Sequence, residues 1–90
     1  MDRNHTRDST SDPEERRRQT VMEREISPLD RRIARLRDEI RDRIDHLRKL
    51  RAFGFPSDQS VRLLDLLCRT LEADRAYRRA MIRLVTDRRR

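Results

Sequence analysis

The chain has 90 residues, with 24 Lys or Arg against 17 Asp or Glu and a net charge of +7 at neutral pH. Charged residues make up 46% of it, against about 25% in ordinary domains, which excludes anything beyond one small domain with a thin core and leaves a partner or self-association to complete it. The single cysteine, Cys68, excludes an intramolecular disulfide and a cysteine-built metal site.

Residues 1–11 are polar, without periodicity, and are expected to be disordered. A helix start follows in SDPEERRRQTVMEREI. Asp12 suits the cap, Pro13 the first helical position, and Glu14 and Glu15 the positive end of the helix dipole. Its apolar content is Val21, Met22 and Ile26 alone, so this helix is expected to depend on docking. Residues 1–27 thus read as a polar N-terminal arm. Ser27 and Pro28 repeat the cap-then-proline signal, which starts a second helix or kinks a continuous one.

A helix over about residues 28–52 is predicted from Ile26, Leu29, Ile33, Leu36, Ile40, Leu47 and Leu50, spaced by threes and fours with one gap. Arg43 interrupts the stripe and Ile44 beside it partly restores it. Arg35 with Glu39, and Arg41 with Asp45, are expected to form i,i+4 pairs on the wet face.

The turn falls at 53–57. Gly54, the chain's one glycine, suits the left-handed residue that ends a helix, with Phe55 in a Schellman contact onto Leu50. Pro56 biases Phe55 away from helix, and Ser57 with Asp58 reads as the start of the next one. Phe53 and Phe55 are expected to plug the turn end.

The second helix, from about 58 to 88, has no breaker and carries two apolar stripes. One is Leu63, Leu66, Thr70, Ala73, Tyr77, Ala80 and Leu84; the other is Leu64, Leu67, Leu71, Ile82 and Val85. One facing helix covers one stripe, so two stripes call for two neighbours. The expected fold is therefore all-α: residues 28–90 form an antiparallel helical hairpin, with coiled-coil-like packing, that dimerises into a four-helix bundle or docks a helical partner. Candidate interface residues are Leu63, Leu64, Leu67, Leu71, Tyr77, Met81, Ile82 and Val85, and Ala73, Ala76 and Ala80 permit close helix approach.

Positive charge gathers at the open end of such a hairpin. Residues 28–37 hold four arginines against Asp30, and residues 75–90 hold seven against Asp87. The candidate basic patch is Arg31, Arg32, Arg35, Arg75, Arg79, Arg83, Arg88, Arg89 and Arg90. Such a footprint attracts phosphate backbones or an acidic protein, but arginines near a helix C-terminus also complement its dipole.

Asp74 and Arg78, one turn apart inside the apolar band, are expected to pair at the bundle edge with Arg37 as a third member, and Arg43 to snorkel. Cys68, among leucines, is expected to pack as a small apolar group. His5 and His46 are isolated, with no ligand set around them. No nucleophile–base grouping or phosphate loop is present, so the expectation is no enzyme, no cofactor, no metal and no small-molecule substrate. The polar start does not read as a secretory signal, and no apolar run approaches the ~18 residues of a membrane span, so a cytoplasmic location is expected, with no membrane partner. The chain reads as a small interaction or regulatory module that binds a protein partner or itself through an apolar helix face. The alternative is a small DNA- or RNA-binding protein using the arginine-rich end.

Overall fold

Asp12 opens the first helix as its chemistry suggests: its carboxylate accepts a hydrogen bond from the backbone N–H of Glu14 at 3.1 Å. Pro13 occupies the position where a missing N–H costs nothing. The structure, a computed structural model, describes residues 12–87, and every regular element among them is helical. They are α1 (Pro13–Val21), a π-helical segment (Met22–Ile26), α2 (Ser27–Ala52) and α3 (Asp58–Asp87). The expectations for residues 1–11 and 88–90, including His5, Arg88, Arg89 and Arg90, lie outside the described residues.

Ser27 does not cap a new helix. Its dihedrals are α-helical, as are those of Val21, Met22 and Ile26, so the backbone stays helical from Pro13 to Ala52. Pro28 is absorbed by the π turn immediately before it. In an α-helix the proline ring would strike the carbonyl four residues back and leave it without a donor. Here the ladder widens first, with the Ser27 N–H donating to the Met22 carbonyl five residues back, which moves the carbonyls away from the ring.

The turn is a Schellman motif. The Phe55 N–H donates to the Leu50 carbonyl at 2.8 Å and the Gly54 N–H to the Arg51 carbonyl at 3.1 Å. Gly54 supplies the positive φ of 73°. A Cβ added there would meet nothing within 4 Å, so the expected cost of Gly54→Ala is the left-handed backbone alone, about 1 kcal/mol. Denaturant midpoints for Gly54→Ala and Gly54→Asn measure it, with asparagine costing less. The phenylalanines do not plug the turn. Phe53 is 72% and Phe55 59% exposed, with ring centroids 6.3 Å apart; the motif directs the chain outward there, where no second layer covers it.

After the turn α3 lies along α2, and the two are tied by ion pairs from Asp30 to Arg78 and from Arg32 to Asp74. The partner's number rises as the other falls, so the helices run in opposite directions. The molecule is long and flat, 71 × 28 × 13 Å. Its buried apolar side chains among the described residues are Ile26, Leu29 and Ile33, where the π segment and the start of α2 meet α3. Towards the turn, Leu36, Ile40, Ile44, Leu47, Leu63, Leu64, Leu67 and Leu71 are only half-buried. Two helices form one layer, and one layer does not enclose a core.

The surface charges pair differently from the expectation. Arg41 pairs with Asp38, and Asp45 with Arg48, rather than Arg41 with Asp45; the Arg35–Glu39 pair does not form. In Glu14–Arg17, Glu15–Arg18, Asp38–Arg41, Asp45–Arg48 and Asp65–Arg69 the acid always comes first. That order follows the helix dipole, whereas both expected pairs had it reversed.

Candidate functional site

On α3 the positions 60, 64, 67, 71, 74, 78, 81 and 85 follow one another by fours and threes and so share one face. Ser60 and Asp74 are buried there, and Leu64, Leu67, Leu71, Arg78, Met81 and Val85 half-buried. This face lies against α2 and, at the far end, against α1. Leu71 lines a shallow groove with Ile40 and Ile44, and Val85 one with Val21. Leu63 sits beside Leu50, Arg43 and His46 near the turn. Most of the candidate interface residues are therefore turned inward, with Tyr77 the exposed exception at 52%.

The other stripe is left open. Leu66 is 57% and Leu84 59% exposed, and Ala73 and Ala80 are also exposed, with Thr70 half-buried. Residues 66, 70, 73, 77, 80 and 84 again alternate steps of four and three, so they form a second face rotated about 100° from the covered one. Over 18 residues it runs about 27 Å. Leu66 and Leu84 were absent from the interface expectation because the covered and open stripes have similar apolar content. The polar residues Ser60, Asp74 and Arg78 at heptad positions were the available signal for which stripe faces α2, since two of them find charged partners on that helix.

Asp74 and Arg78 do not pair with each other. Asp74 is nine-tenths buried, with Oδ2 2.9 Å from Arg32 Nε, and Arg32 Nη2 donates to its Oδ1 at 3.1 Å. Arg78 Nε donates to Asp30 Oδ1. The longer reach across the interface wins because both side chains already point there, and Arg37 instead lines the groove with Arg75. Cys68 is exposed rather than packed among leucines; at 100° per residue it falls on the charged side of α3 with Glu72 and Arg79.

Six of the nine candidate basic residues lie among those described, Arg31, Arg32 and Arg35 on α2 and Arg75, Arg79 and Arg83 on α3, where steps of four put the last three on one face. Arg32 is spent on Asp74, and Arg31 and Arg35 lie opposite buried Ile33 on the outer side of α2. Arg75, Arg79 and Arg83 are exposed along α3, and none makes an ion pair among the described residues. Among these residues no group of three or more His, Cys, Asp or Glu is placed to hold a metal, and no helix is long and apolar enough to cross a membrane. No family model, curated protein or solved structure matches the chain.

Proposed function

We propose that this chain is a non-enzymatic helical interaction or regulatory module, an antiparallel hairpin of α2 and α3 that binds a protein partner or a second copy of itself through the open face of α3. In the second case the two hairpins make a four-helix assembly. The observation that supports it is the continuous exposed row of Leu66, Ala73, Tyr77, Ala80 and Leu84. Large apolar side chains in one such row on a chain this rich in charge favour a protein surface as occupant. Covering what remains exposed of Leu66, Tyr77 and Leu84 is worth about 1 kcal/mol or more each, and it adds the second layer that α2 and α3 lack.

Leu66→Asp and Leu84→Asp, singly and together, test this reading. Both are expected to abolish association in light scattering and partner capture while the amides of α2 and α3 keep their hydrogen-exchange protection, because neither side chain faces α2. Association unchanged in the double variant would refute it. Polar changes at Leu67, Leu71 or Val85 would instead loosen the chain itself.

The second reading, contact with DNA or RNA, draws on the exposed arginines Arg75, Arg79 and Arg83. It requires tight binding that falls steeply with salt and weakens when Arg79 and Arg83 become glutamine. The expected result is no salt-dependent binding to random duplex DNA or single-stranded RNA beyond that of any cationic helix.

A further inference from the structure

We propose that the occupant of the open α3 face is a second copy of the chain, with its α3 antiparallel to the first and a two-fold axis passing beside residue 75. This rests on the self-association form of the reading above and specifies its geometry. In that register Leu66 meets the second copy's Leu84, Thr70 meets its Ala80, and Ala73 meets its Tyr77. Each is a layer of the kind antiparallel helix pairs form, and the stripe reads nearly the same in both directions. Its ends are leucines of almost equal exposure, 57% and 59%. Its middle sets Tyr77 over the small Ala73, which lets the backbones approach.

Charge selects this direction over the parallel one. Arg62 and Asp65 flank one end of the stripe, and Arg83 and Asp87 the other. Antiparallel pairing carries Arg62 to the second copy's Asp87 and Asp65 to its Arg83, whereas a parallel pair would set each charge beside its own copy. Asp65, which pairs with Arg69 at 3.0 Å, lies in this register between that arginine and the second copy's Arg83 and offsets their repulsion.

The structure also holds a seat for the incoming end. Val21, Met81, Leu84 and Val85 line an apolar groove between α1 and the end of α3, rimmed by Glu14 and Arg17. The register delivers the second copy's Leu66 to that groove. No residue of α1 is buried in the single chain, so the incoming helix would also supply the docking that so polar a helix needs to stay folded.

Disulfide trapping in the full chain tests the register. With Cys68→Ser as background, Thr70→Cys and Ala80→Cys chains are oxidised mildly, each alone and then mixed, with mass followed by light scattering. Only the mixture is expected to cross-link, because the two copies of residue 70 lie about 15 Å apart along the axis, beyond the ~7 Å a disulfide spans. Cross-linking of either variant alone, or a dimer by mass that the mixture fails to trap, would overturn the register and leave self-association standing. A chain monomeric at every concentration would overturn self-association itself, and this proposal with it. A charge swap gives an independent reading: Arg62→Glu is expected to weaken the dimer about tenfold and Asp87→Arg in the same chain to restore it. No change on either substitution counts against the antiparallel pairing.

Discussion

Arg32→Ala is expected to destabilise the chain by about 2–3 kcal/mol, while Asp74→Leu, which breaks the same pair, costs about 1 kcal/mol or less. The asymmetry comes from burial. The Arg32 side chain is 57% exposed and that of Asp74 only 10%, so losing the arginine strands a carboxylate between helices, whereas losing the aspartate returns a guanidinium to water. Exposure of Arg32 keeps the first figure below that of a fully buried pair, because water reaches the site. Leucine at 74 also extends the covered row formed by Leu64, Leu67 and Leu71. Chemical denaturation of both variants and of the double variant, at one protein concentration, measures the difference. Equal losses from the two single changes would show that the pair is not organised by the burial of Asp74.

Ile26→Ala is expected to cost about 3 kcal/mol. Ile26 is 1% exposed, the most deeply buried side chain described, and it closes the π segment where α1, α2 and α3 come together. Most other apolar side chains are half-exposed, so their truncation removes less packing and leaves a groove that water fills. The loss should also be local. Hydrogen exchange is expected to show α1 and the π segment losing protection in Ile26→Ala while the amides flanking the turn keep theirs. A uniform loss along both long helices would mean that the chain opens as one unit.

Much of the architecture was open to reading along the chain. Asp12 and Pro13 announce a helix start, the spacing from Ile26 to Leu50 announces an amphipathic helix, and Gly54 announces a left-handed stop. Each depends on contacts within a turn or two, which neighbouring residues decide between themselves. The ion pairs along α2 differ from the i,i+4 expectation for a local reason: Arg35–Glu39 and Arg41–Asp45 place the base first, against the helix dipole, whereas Asp38–Arg41 and Asp45–Arg48 place the acid first. The Ser27–Pro28 signal was ambiguous because capping and a π turn relieve the same missing N–H.

The sequence by itself determined the helical character of the described residues, the reversal at Gly54, and two apolar stripes on α3 where one neighbour covers only one. Tertiary structure alone decided which stripe turns inward, that Asp74 reaches Arg32 and Arg78 reaches Asp30, that Phe53, Phe55 and Cys68 stay in solvent, and that Leu66, Tyr77 and Leu84 form the open face. The physical reason is rotation. Both stripes of α3 satisfy the same helical period, and turning the helix about 100° on its axis exchanges them without altering any local preference. Only the contacts across the interface, made by residues more than forty positions apart, choose between the two.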